Sequence, residues 1–158
     1  MVNKSLVERI YLQGGLGIRV QRAPAADPQA VFLPIFQITG LVLITSLIGV
    51  RTVAQAGGAS TMQFEHSVGP TVLDAGALSI AADTIGTIYF LDGDVADSIV
   101  KGLGGNAITS DILNVYPHKS LVGAGTINVT MTAAAGTGST GYSISFIPVD
   151  DTAIIYAL

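Results

Sequence analysis

The six residues Gly136-Thr137-Gly138-Ser139-Thr140-Gly141 spell G-x-G-x-x-G, a string that in dinucleotide-binding proteins brings backbone N–H groups against a pyrophosphate. That chemistry needs a helix directly after the glycines, so that its N-terminus faces the anion. Here Tyr142–Val149 follows, which alternates as a strand and contains Pro148, so the string reads as the tip of a turn. Asp92, Asp94 and Asp97 could offer oxygens to Ca²⁺, but the glycine and terminal glutamate of a Ca²⁺-binding loop are missing. They read as a turn that caps a helix over Asp94–Lys101. His66 and His118 lie far apart, and neither has a Cys, His or carboxylate at ligand spacing. Asp150-Asp151 reads as an exposed turn pair, and the sequons at Asn3 and Asn128 read as chance. Without a G-x-S-x-G elbow, an H-E-x-x-H string or a P-loop, the chain reads as non-enzymatic, with no catalytic, cofactor or metal residues assigned.

The elements that would have to position any site are strands. Nineteen glycines, no tryptophan and many Val, Ile and Thr favour short strands and tight turns. The fold class expected is all-β: a β-sandwich or jelly-roll-like domain over residues 30–158, preceded by an extended N-terminal arm and linker over residues 1–29. Only 11% of the 158 residues are charged and mean hydropathy is +0.60. A soluble monomer carries about 25% charged residues, so a surface covered by partners is expected. Charge is also uneven. Residues 1–22 hold Lys4, Arg9, Arg19 and Arg22 against Glu8, a balance of +3, and the remainder of the −4 total is −7 on residues 23–158. A basic leader on an acidic body reads as an arm that docks elsewhere, and its spaced cations without an aromatic ladder do not point to nucleic acid. The absence of Cys removes disulfide and thiol chemistry.

The chain is organised around Gln37–Ala54, QITGLVLITSLIGVRTVA. Apolar residues fall on both parities, which predicts one long or two consecutive central strands covered on both faces, with Gly40 and Gly49 as bends or bulges. A rival reading is a membrane span over residues 30–50, flanked by Arg22 and Arg51; the Val, Ile and Thr content argues for a sheet instead. Ile18–Gln21 reads as a short strand and Ala23–Gln29 as an extended linker. Further strands are expected at Thr61–His66, Leu78–Ala82, Gly86–Leu91 and Ala153–Tyr156. Thr126–Thr132 alternates, with Ile127, Val129 and Met131 inward. Tyr142–Val149 repeats the pattern, and the two read as a β-hairpin joined by residues 133–141.

LVERIYLQGGLGIRVQRA, the apolar run, the D-x-x-G-T-I-Y segment Asp83–Tyr89 and the final unit Gly125–Pro148 recur in this order in a family of small tailed-phage virion proteins, which the chain resembles. The resemblance implies a capsid decoration (cement) protein, a trimer on the outer capsid surface of the virion, made in the bacterial host cytoplasm. A tail- or fibre-associated protein is the alternative. The implied partners are the major capsid protein and further copies of the chain, with no nucleic acid, membrane or small-molecule substrate. On this reading Arg9, Tyr11, Leu16, Arg19 and Arg22 would meet the capsid or a neighbouring subunit.

Overall fold

The computed structural model describes residues 17–28, 32–56, 58–68, 71–73, 76–91, 99–102, 120–132 and 138–158. Their strands are β1 (Ile18–Ala26), β2 (Phe32–Thr39), β3 (Val42–Val53), β4 (Thr61–His66), β5 (Thr71–Val72), β6 (Leu78–Ser79), β7 (Ile88–Phe90), β8 (Val100–Gly102), β9 (Ser120–Val122), β10 (Gly125–Thr132), β11 (Ser139–Pro148) and β12 (Ile154–Ala157). They form two antiparallel sheets, and among the described residues there is no helix. The first sheet runs β1-β11-β3-β7-β8 with β9 also on β3; the second runs β12-β2-β10-β4-β5 with β6 also on β4. The expected all-β fold is what the chain adopts. Alternation places one face of each long strand in the core, as in β4, where Met62, Phe64 and His66 are buried while Thr61, Gln63 and Glu65 are not. The faces meet where the Phe64 ring packs edge-on against Tyr142, with centroids 6.2 Å apart.

The apolar run is indeed two consecutive strands, but they lie in different sheets. The chain passes from β2 to β3 through Gly40, whose φ of +72° is a left-handed conformation that side chains disfavour. Asp150 closes this corner by accepting the Leu41 N–H at 2.7 Å, and the Val149 N–H donates to the Leu41 carbonyl at 2.9 Å. Of the window 30–50, residues 32–50 therefore form a corner between two sheets and not a helical span. No helix among the described residues is long and apolar enough to cross a membrane.

A bulge accounts for apolar residues on both parities. In the register of β3 on β11, Ser46 faces Ser145 and Ile44 faces Phe146, which leaves Thr45 as an extra residue. The inward face consequently changes parity, from Val42 and Ile44 to Leu47, Gly49 and Arg51. The expectation that both faces of one regular strand are covered is thus corrected: Leu43, Ile48 and Val50 lie on the outer face, partly or largely exposed. Gly49 is not a bulge. It sits opposite Tyr142, where a Cβ would come within 3.1 Å of the ring.

Two other expectations change. β10 pairs with β2 and β4, whereas β11 pairs with β1 and β3, so Thr126–Thr132 and Tyr142–Val149 are not a hairpin; their connection crosses between the sheets. Both strands nevertheless alternate as expected, and β11 begins earlier, at Ser139. Residues 18–26, read as a short strand and linker, form one continuous edge strand on β11, with a bulge between Arg22 and Ala25. Of the helix expected over Asp94–Lys101, residues 94–98 lie outside the described residues, and Val100–Gly102 is a strand paired with β7.

A Cβ at Gly40 would approach the Asp150 carboxylate to 2.6 Å and the Ala153 Cα to 2.9 Å. Gly40→Ala is therefore expected to destabilise the fold by about 1–3 kcal/mol through the strained φ alone, more if the Asp150 cap is lost. Urea denaturation checks this, with Gly123→Ala as the control because its Cβ would meet nothing within 4 Å.

Candidate interaction surface and the buried polar relay

Sheet β1-β11-β3-β7-β8 presents two different faces. On the inner side, where the alternation calls for an apolar residue, β3 places Arg51, which is 0% exposed. The D-x-x-G-T-I-Y segment holds it by main chain and side chain together. The Arg51 N–H donates to the Thr87 carbonyl at 2.8 Å, and its carbonyl accepts from the Gly86 N–H at 2.9 Å. Gly86 makes that return possible at φ +85°. The guanidinium forms an ion pair with Asp27, just past the end of β1, and its Nε donates to the Tyr89 hydroxyl at 3.1 Å. The Tyr89 hydroxyl in turn donates to Asp83 Oδ2 at 2.7 Å, and Lys101 Nζ on β8 donates to Asp83 Oδ1 at 2.9 Å. The result is a continuous relay, Asp27–Arg51–Tyr89–Asp83–Lys101, that passes under the sheet from one edge to the other.

Burial by itself works against the Arg51 charge; Tyr89 and Asp27 outweigh it and hold its pKa above the ordinary arginine value. Burial pushes the Tyr89 phenol up, and its hydrogen bond to Asp83 adds to the shift. Tyr142 is raised chiefly by burial and then by Asp27. Asp27 is further fixed by the Thr140 hydroxyl at 2.9 Å. A side chain at Gly138 would collide with Arg51, Gln55 and Asp27, so this glycine is required for close approach. Arg51 Nε and Nη1, the Tyr89 hydroxyl and Lys101 Nζ each have an acceptor in the chain, whereas Arg51 Nη2 and Gln55 Oε1 are buried without a partner. The relay is a structural lock and offers no open acid–base pair to a substrate.

The outer side is apolar over β3, β7 and β9 and polar over β1 and β11, where Gln21, Ser143 and Ser145 lie on it. Leu43 lies opposite Leu121 and Ile147, Ile48 opposite Phe90, and Val50 opposite Ile88. Leu121 is 62% exposed and Val50 39%. Among the described residues the one charge on this face is Arg19, on β1, where it borders an open groove of about 440 Å³ floored by Val50, Thr52 and Gly141. The outer face of the other sheet is polar over β10 and β4, with Gln63 opposite Thr130 and Thr61 opposite Thr132, while Phe32, Ile154 and Tyr156 are exposed along β2 and β12.

Of the residues expected at an interface, Arg9, Tyr11 and Leu16 lie outside the described residues. Arg19 is exposed, and its Nη2 reaches the Ser143 hydroxyl at 3.4 Å. Arg22 lies on the opposite parity of β1, and its Nε donates to the Leu158 carbonyl at 2.8 Å, joining the edges of the two sheets. It is half-buried, engaged within the chain, and lines the groove beside Arg19. The G-x-G-x-x-G string leads straight into β11 from Ser139, with no helix behind it. His66 is buried on β4, His118 lies outside the described residues, and no three metal-ligating side chains gather among those described. Asp92, Asp94 and Asp97 also lie outside them. The relay was missed because Arg51 reads as a flanking charge. Its signal was a single cation near the end of the 18-residue stretch Gln37–Ala54, with an aspartate and then a tyrosine in the later segment Asp83–Tyr89. No protein family, curated relative or solved structure matches the chain.

Removing one member of a buried ion pair leaves the other uncompensated, so Arg51→Met and Asp27→Ala are each expected to cost about 3–5 kcal/mol in urea denaturation. Tyr89→Phe should cost less, about 1–3 kcal/mol, because Asp83 keeps Lys101. Because the folded-state pKa values of Tyr89 and Tyr142 are raised, their contribution is complete below the ordinary tyrosine value of 10.0 and falls as pH rises above it. Stability measured from pH 9 to 12 should decline above about pH 10, and Tyr89→Phe should make that decline shallower.

Proposed function

We propose that this chain is a non-enzymatic structural protein that self-associates and decorates the outside of a tailed-phage capsid as a trimer. The observation that carries the reading is the apolar patch that β3, β7 and β9 present on the outer face of sheet β1-β11-β3-β7-β8. There Leu43, Ile48, Val50, Ile88, Phe90 and Leu121 lie side by side, and no charge is found among the described residues. A body with a charge of −7 over residues 23–158 that keeps this face free of carboxylates is suited to meeting copies of itself. A locked interior polar relay, without an open reactive centre, accords with a structural role. The resemblance of the apolar run, of Asp83–Tyr89 and of Gly125–Pro148 to small virion proteins supplies the capsid as the larger partner. The basic leader, residues 1–16 with Lys4 and Arg9, is the segment proposed to reach the major capsid protein. Three such leaders on one trimer would multiply their effective concentration at the shell.

Sedimentation equilibrium is expected to give a trimer, and Leu121→Lys combined with Val50→Lys should shift it to monomer while far-UV circular dichroism stays β-like. A protein that is monomeric up to millimolar concentration would exclude the self-association. Shell binding should be tested by co-sedimentation after removal of residues 1–16, which leaves β1 whole. A cut at residue 22 would also strip Ile18–Arg22 from the sheet and confuse arm loss with fold loss. Undiminished binding by the shorter chain would overturn the arm.

A further inference from the structure

The relay runs between two edge strands that share no direct pairing. β1 and β8 are the opposite edges of their sheet, separated by β11, β3 and β7. Asp27 follows β1, Arg51 belongs to β3, Tyr89 to β7 and Lys101 to β8, with Asp83 in the turn before β7. The first four members are buried: Arg51 and Tyr89 are 0% exposed and the side chains of Asp27 and Asp83 5% and 3%, while Lys101 at the end of the relay is 22% exposed. In such surroundings a hydrogen-bonded chain is cooperative, because each bond polarises the next and no water replaces a lost partner. If β1 lifts away, Asp27 leaves and Arg51 is left beside Tyr89 with Nε as its bonded contact. Tyr89 is then drawn between Arg51 and Asp83, which is also what anchors Lys101. β8 has three residues and pairs with β7 through Ile88, Tyr89 and Phe90, so Lys101 is a large part of its anchorage.

We propose that the Asp27–Arg51–Tyr89–Asp83–Lys101 relay couples the two edges of this sheet, so that loosening or capture of the N-terminal strand is felt at β8, and the reverse. The inference is independent of what engages either edge and does not rest on the capsid reading. Reciprocity is required, since a coupling free energy acts equally in both directions.

Hydrogen exchange of the full chain, read by NMR or mass spectrometry, tests it. Lys101→Met is expected to raise the exchange of the β1 amides Val20–Asp27 about fivefold to tenfold, the lower part of the usual allosteric range. Asp27→Asn should do the same at Ile88–Phe90 and Lys101. Thr140→Val, which removes one donor from Asp27, is the milder second variant should Asp27→Asn fail to fold. With Tyr89→Phe as background, the cross-sheet effects should fall below about twofold while the local ones persist. Met131→Ala, in the other sheet, controls for general destabilisation. Effects confined to the mutated edge would overturn the proposal. So would a uniform rise at all amides matching that of Met131→Ala, or a cross-sheet effect unchanged by Tyr89→Phe.

Discussion

A guanidinium with no access to water must bring its counter-ion and acceptors with it, and Arg51 does so by drawing on three separate parts of the chain. Asp27 comes from the N-terminal strand, Tyr89 from β7, and the main-chain bonds from the turn at Gly86 and Thr87. Long-range pairing of this kind is costly in loop entropy and slow to assemble. It also makes β1, β3, β7 and β8 interdependent, because none of them can leave without depriving a charge of its partner. The core around it is ordinary by comparison: Phe36, Ile38, Leu47, Phe64, Ile144 and Phe146 are buried by alternation alone.

Where alternation held, the fold could be read from the residues. Thr61–His66 is a strand with the expected parity inward, and Ile127, Val129 and Met131 face the core as their spacing requires. Where the backbone departs from a period of two, it could not. Thr45 is unexceptional as a residue type, yet as the extra residue of a bulge it turns Leu43, Ile48 and Val50 outward. Reading the run as one regular strand made these look like a second covered face. A Gly-, Ala-, Ser- and Thr-rich connector is equally able to turn within a sheet or to pass between sheets. The choice between a hairpin and a crossing at residues 133–141 is made by which neighbours β10 and β11 find, and local sequence does not encode that.

The candidate surface was legible in outline and not in position. The charge deficit of the composition pointed to covered exterior, and an apolar outer face is present on β3, β7 and β9. The leader's arginines were read as a set, but strand parity separates them. Arg19 points out over a groove, whereas Arg22 points between the sheets to the Leu158 carbonyl. Two cations three positions apart in a strand cannot share a face, a constraint that becomes visible only once β1 is known to be a strand beyond Gln21.

The relay also bears on a problem that the apolar run creates for itself. A strand with aliphatic residues on both sides specifies its register weakly, because sliding it exchanges one acceptable side chain for another. Two positions of slip along β11 would trade Leu47 for Thr45 or Gly49 and Ile44 for Val42 or Ser46, a loss of buried volume that strands no charge in the core. Arg51 is the exception. Moved by two residues in either direction it loses Asp27, Tyr89 and the main-chain bonds to Thr87 and Gly86 at once, and its charge is left in the core. A buried pair contributes little net stability relative to well-packed hydrophobic residues, so its value here lies in discriminating among arrangements. Gly138 adds to this, since it is the residue that leaves room for Arg51 beside Asp27 and Gln55. One cation at the end of a greasy strand thus does for β3 what alternation does for β4: it makes a single alignment much better than the rest.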